Sequence, residues 1–135
     1  MKTHECITRY EGNPVLSDKD IPYDATQIFN AGICKFKGEY VMVFRNDVGA
    51  SPGNAKVEWT NMGIARSDDG MNWTADPEPW IRWETDEIRR AYDPRITLIE
   101  DRLYLCFAVD TAHGIRGGIA VTDDLKDWEV LSMSA

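Results

Sequence analysis

The stretch "GIARSDDGMNW" (63–73) is matched 55 residues later by "GIAVTDDLKDW" (118–128), with Gly, Ile, Ala, a Ser or Thr, Asp-Asp and Trp in the same places. Upstream of each lies a second match, "KGEYVMVF" (37–44) against "EDRLYLCF" (100–107), at a spacing of 63. The difference of eight is a longer loop in the first copy, "NDVGASPGNAKVEW" (46–59). Each copy therefore reads as strand, turn, strand, loop, strand, turn and a last, Trp-bearing strand.

The residue types suit those roles. "VMVFR" and "LYLCFA" are apolar, β-rich runs of strand length, and "KG" and "ED" before them are turn signals. In "SDDGMNW" an Asp side chain can accept backbone N–H groups within the turn while Gly70 takes a positive φ. Trp73 then returns to the sheet. The second copy has Leu125 in place of Gly70, so a different turn geometry is expected there. Helix signals are confined to "TDEIRRA" (85–91), one or two turns at most.

A unit of about four strands over roughly 40–50 residues is the signature of a β-propeller blade; the alternative is a pair of hairpins in a β-sandwich. The expected class is all-β, built of four-stranded antiparallel sheets. Two blades do not close a propeller, which takes at least about four. The chain is expected to be the front of a longer protein.

Length and composition set further bounds. The 135 residues fall within the range of one domain, and the apolar share of 43% is ordinary for a globular protein. A net charge of -8 argues against binding a nucleic-acid backbone, although local Arg residues can still hold a small anion. Three cysteines without CxxC spacing fit neither a disulfide framework nor a zinc site. Cys34 and Cys106 lie in apolar runs and are expected to be buried and inert. The N-terminus has no apolar leader and no segment has transmembrane length, so a cytoplasmic protein without a membrane partner is expected.

One strand entry is unusual. In "RRAYDPRITLIEDRLYLCFA" (89–108), Asp93, Pro94 and Arg95 interrupt an otherwise apolar run. Pro94 cannot donate a ladder hydrogen bond and belongs at a strand's beginning or edge. It also biases Asp93 toward an extended backbone. Period-two alternation would put Asp93 and Arg95 on the same side, facing a propeller channel. The plain alternative is an Asp-Pro turn with Arg95 in an ion pair.

The remaining polar residues carry paired readings. Asn30, in "FNAG" (29–32), has donors and an acceptor suited to ligand hydroxyls, or makes an Asn turn before Gly. Arg45 and Asp47 form a substrate-facing pair or an exposed ion pair at a strand end. Arg66 stands where the second copy has Val121, which suggests a ligand contact, or a solvated edge. Asp68, Asp69, Gly70 and Trp73 recur with the turn and read as structural. His4 and His113 lack ligand spacing, and no metal site is expected; His113 lies in a loop that could rim the propeller channel. Trp80 and Trp83 read as packing groups, with stacking on a ligand the second reading.

"NPVLS" (13–17), "QIFNAGICKFKGEYVMVFR" (27–45), "GIARSDDGMNW" (63–73) and "YDPRIT" (92–97) resemble, in this order, the mannoside phosphorylases of glycoside hydrolase family 130. The resemblance implies a five-bladed β-propeller. This chain would supply an extension (1–26), a first blade (about 27–83) and a second (about 92–131), leaving sheet faces open to association with further copies. It implies phosphorolysis of β-mannosides, mannosyl-glucose or β-1,4-mannooligosaccharides, with inversion to mannose 1-phosphate; some relatives are hydrolases. Asp93 matches the family's general acid, whose proton passes through the mannosyl 3-hydroxyl, and an enclosed funnel would help to keep it protonated. Asn30, Arg45, Asp47, Arg66 and Arg95 are the expected substrate contacts, with Arg95 holding phosphate, orienting Asp93, or both. No cofactor is implied beyond inorganic phosphate as co-substrate, and much of the phosphate site would come from later blades. A non-catalytic sugar-binding or structural fragment is the competing reading.

Overall fold

The computed structural model describes residues 6–49 and 56–134. Strands β1 (Gln27–Phe36), β2 (Glu39–Val48), β3 (Trp59–Ser67) and β4 (Thr74–Ala75) form one antiparallel sheet in chain order. A second sheet repeats the pattern with β5 (Ile88–Ile99), β6 (Arg102–Thr111), β7 (Gly114–Thr122) and β8 (Glu129–Met133). The first strands β1 and β5 approach closely, since a Cβ on Gly32 would come within 2.8 Å of Ile96 N and 3.0 Å of Arg95 Cα. Two successive meanders stacked with their first strands together are blades of a propeller-type fold.

Alternation along the strands divides the packing between the two faces of each sheet. Val41, Val43, Met62 and Ile64 of the first sheet meet Leu103, Leu105, Phe107 and Val109 of the second in the main core. On the other face of the first sheet, Met42, Phe44 and Ala65 are covered by Leu16 and Ile21 from the N-terminal segment. The far face of the second sheet is open. Cys106 on it is exposed and Cys34 is half-buried, which corrects the expectation of two buried thiols: an apolar run in a strand buries only alternate residues unless both faces are covered.

The two recurring turns have the same geometry. Asp69 Oδ1 accepts from the N–H groups of Met71 and Asn72, both at 2.8 Å, and Ser67 Oγ from Gly70 at 2.8 Å. In the second copy Asp124 Oδ1 accepts from Lys126 and Asp127, and Thr122 Oγ1 from Leu125. Leu125 adopts φ 64 where Gly70 has φ 76, so the expected difference in turn geometry does not exist. Burial of the Leu125 side chain in the core offsets the cost of a positive φ.

The repeated glycines of the "GIA" motifs share a cause, to which the Tyr23 hydroxyl adds a second at Gly63. A Cβ on Gly63 would strike the ring of Phe44, and one on Gly118 the ring of Phe107. The segment 85–91 is not helical: Thr85 Oγ1 accepts from Glu87 and Ile88, and β5 begins at Ile88 opposite Thr111. Pairing with β6 overrides the local helix preference. Among the described residues no helix is long and apolar enough to cross a membrane.

Candidate active site

The site is built on two equivalent kinks. The register of β1 on β2 slips between Phe29 and Gly32, and that of β5 on β6 slips between Tyr92 and Arg95. Within these bulges Asn30 has φ 51 and Asp93 φ 56. Asn and Asp are the side chains that enter the left-handed region most readily. Asp93 is therefore not extended, and Pro94 does not open the strand but lies fully buried within it. At a bulge the missing proline N–H removes no ladder bond. The slip also breaks the two-residue alternation, and Arg95 makes no bond to Asp93; its Nη1 donates to the carbonyls of Asn30 (2.8 Å) and Pro94 (2.7 Å).

Four of the expected residues come together. Asn30 Nδ2 donates to Asp93 Oδ1 at 2.8 Å, and Arg45 Nη1 donates to the same oxygen at 3.1 Å. Arg45 also grips Asp47 with two bonds, Nε to Oδ1 (2.9 Å) and Nη2 to Oδ2 (2.7 Å), while Thr60 Oγ1 donates to Asp47 Oδ1 at 2.7 Å. The guanidinium lies between two rings, 4.8 Å from the Phe29 centroid and 4.6 Å from that of Tyr92. Burial opposes its charge, but the carboxylates of Asp47 and Asp93 more than offset this and hold Arg45 above its ordinary pKa. Asp93 receives both of its bonds at Oδ1; no described residue bonds Oδ2, and its side chain is 34% exposed.

A second group abuts the first. The Tyr92 hydroxyl donates to Asp110 Oδ1 at 2.6 Å, and Arg90 Nε donates to Asp110 Oδ2 at 2.6 Å. Burial first, and the bond to Asp110 second, push the Tyr92 phenol up to about 12. Burial would raise Asp110, yet the bonds from Tyr92 and Arg90 outweigh it and hold the carboxyl below its ordinary value. Phe29, Thr60, Arg90, Tyr92 and Asp110 were not among the residues expected at the site. Two of them had a usable signal, because Asp110 follows Asp47, and Tyr92 follows Phe29, at the same spacing of 63 as the strand repeat.

The other residues singled out lie apart. Arg66 pairs with Glu39 at 2.7 Å and Asp76 at 3.1 Å and makes no bond to the Asp93 cluster. Trp80 and Trp83 pack against the main core, Trp83 with its ring 5.4 Å from Trp128 and 6.0 Å from Phe107. His113 is exposed in the β6–β7 turn, and His4 lies outside the described residues. Among the described residues no group of three or more His, Cys, Asp or Glu is arranged to hold a metal ion.

The fold has a counterpart among carbohydrate-active enzymes. The chain belongs to glycoside hydrolase family 130: the family model described as beta-1,4-mannooligosaccharide phosphorylase matches residues 2–134. It is similar to a beta-1,4-mannooligosaccharide phosphorylase from Ruminococcus albus, 28% identical over 92% of this chain and 38% of that protein. It is also similar to a beta-1,2-mannobiose phosphorylase from a Thermoanaerobacter species, 26% identical over 91% of this chain and 44% of that one. The chain thus spans roughly two fifths of these relatives. Among solved structures, the beta-1,2-mannobiose phosphorylase of Listeria innocua, in complex with beta-1,2-mannobiose, superposes with a TM-score of 0.74 at 20% identity, over 90% of this chain and 49% of its own. A glycosyl hydrolase from Bacteroides ovatus gives 0.73 at 22%, over 90% and 39%.

Proposed function

We propose that this chain carries the acid half of a site for inverting phosphorolysis of β-mannosides. The observation that carries the reading is Asp93: an acid on a kinked inner strand, tethered through Oδ1 while Oδ2 has no partner among the described residues. A phosphate oxygen bonds to the anomeric carbon as the glycosidic C–O bond breaks. The departing sugar oxygen receives the proton that originates on Asp93, passed through the mannosyl 3-hydroxyl. The products are mannose 1-phosphate and the shortened sugar. Arg45 uses three of its five N–H groups on Asp47 and Asp93, which leaves donors for a ligand hydroxyl or phosphate. Asn30 borders the same mannosyl ring.

Hydrolysis is the second reading. An inverting hydrolase needs another carboxylate free to activate water. The nearby acids are engaged: Asp47 by Arg45 and Thr60, Asp110 by Tyr92 and Arg90. Phosphate is already an anionic nucleophile and needs no such base, which favours phosphorolysis. The β-1,4 and β-1,2 linkages in the names of the relatives define the substrates to try, with mannosyl-glucose as a further acceptor type. The test is incubation with each β-mannoside with and without phosphate. Mannose 1-phosphate formed only with phosphate supports the proposal. Free mannose formed without phosphate establishes the hydrolase. No product from either identifies a binding or structural fragment.

A further inference from the structure

We infer that Tyr92 and Asp110 are positioning residues: the pair locks the aromatic wall against which the Arg45 guanidinium lies, and so fixes the N–H that Arg45 aims at Asp93. Both copies of the repeat place a ring on the first strand and a carboxylate on the second, Phe29 with Asp47 and Tyr92 with Asp110. In the first copy the carboxylate grips Arg45 directly. In the second copy the position equivalent to Arg45 is Ala108, and Asp110 instead takes the hydroxyl of the ring. The ring that faces Arg45 from the second sheet is thus tied at its far end by a short bond to a charged acceptor, a strong type of contact.

The tie is not needed merely to join the strands. Arg90 and Asp110 are cross-strand partners and already bond at 2.6 Å. A Phe at 92 would fill the wall as Phe29 does on the other side. What the hydroxyl adds is a fixed ring orientation, and a planar guanidinium held between two fixed faces loses its freedom to tilt. Of the three Arg45 bonds, the one to Asp93 is the longest, 3.1 Å against 2.9 and 2.7 Å, and is the one that a shift of the wall disturbs first. Asp110 therefore acts on Asp93 through Tyr92 and Arg45 without touching it.

The experiment follows the arginine side-chain N–H signals by NMR, with Arg45 Nε–H identified by its disappearance in Arg45→Lys. Its hydrogen exchange is expected to quicken severalfold in Tyr92→Phe and in Asp110→Ala, and roughly tenfold in Tyr92→Leu. The Arg66 Nε–H, held by Asp76, stays unchanged as the internal control. Unchanged Arg45 exchange in folded Tyr92→Phe and Asp110→Ala overturns the inference, and these two mild variants decide it if Tyr92→Leu does not fold. The kinetic arm rests on the reading of Asp93 as acid: kcat falls while KM stays within about twofold, and Asp110→Asn, which keeps an acceptor for the hydroxyl, recovers most of the rate. Faster Arg45 exchange with unchanged kcat counts against the role of Asp93 and leaves the clamp standing.

Discussion

Asn30 and Asp93 occupy the same position of consecutive repeats, share a left-handed backbone, and are joined by a 2.8 Å bond from the amide of one to the carboxylate of the other. One repeat contributes the donor and the next the acid. Where the two blades meet, they differ by an amide against an acid.

Asp93→Asn is expected to leave the fold intact, because the amide keeps an oxygen for Asn30 and Arg45. Phosphorolysis should fall roughly 10²–10⁴-fold, the usual contribution of a general acid. Turnover on a β-mannoside with phosphate checks it, and full activity in the variant would remove Asp93 from the mechanism.

Arg45→Met leaves the Asp47 carboxylate, 4% exposed, with only the Thr60 hydroxyl among the described residues. An uncompensated buried charge should cost about 3–5 kcal/mol. Adding Asp47→Leu to that variant removes the orphaned charge and should recover part of the loss. Denaturant midpoints of the two single variants and the double variant measure the coupling.

Gly63→Ala and Gly118→Ala each push a methyl group into a fixed phenylalanine ring. Each is expected to destabilise by roughly 1–3 kcal/mol, the cost of overpacking a tight core. Thermal melts should rank both below an exposed control such as Gly38→Ala, where a Cβ meets nothing within 4 Å but the φ of +96 still adds some strain.

Asp69 and Asp124 are held below the ordinary carboxylate value, in each case chiefly by backbone N–H groups of their own turn. A depressed carboxyl stabilises the fold fully above its unfolded pKa, near 3.8, and that contribution disappears as pH falls through the lower folded value. Stability should therefore decline on acidification below about pH 4. Asp69→Asn with Asp124→Asn should flatten that acid limb, as read from urea midpoints between pH 2 and 6.

Cys106 is expected to react with a thiol reagent well before Cys34. The first is exposed, whereas burial pushes the Cys34 thiol up and thins its reactive thiolate. Mass spectrometry after a short labelling pulse distinguishes them.

The architecture was legible because turn chemistry and strand patterning repeat, and repetition survives changes such as Gly70 to Leu125. That Asp93 would gather with Asn30, Arg45 and Asp47 was legible through the order of motifs. The backbone at Asp93 was not, because the proline rule describes a local preference and the bulge is imposed by pairing with β6. The Tyr92–Asp110 bond was hidden for a related reason. It depends on which side chains face each other across β5 and β6, a register that the bulge itself resets. Cys106 misled because an apolar run does not say how many faces of its sheet are covered.

An amide and a carboxylic acid have nearly the same shape, and the kinks at residues 30 and 93 accept either. Exchanging them, Asn30→Asp with Asp93→Asn, would move the carboxylate from one blade to the other on the same left-handed backbone. Duplicated units that hold such interchangeable slots let a propeller move a charged group by altering single atoms, while turns, glycines and strand order stay as they are.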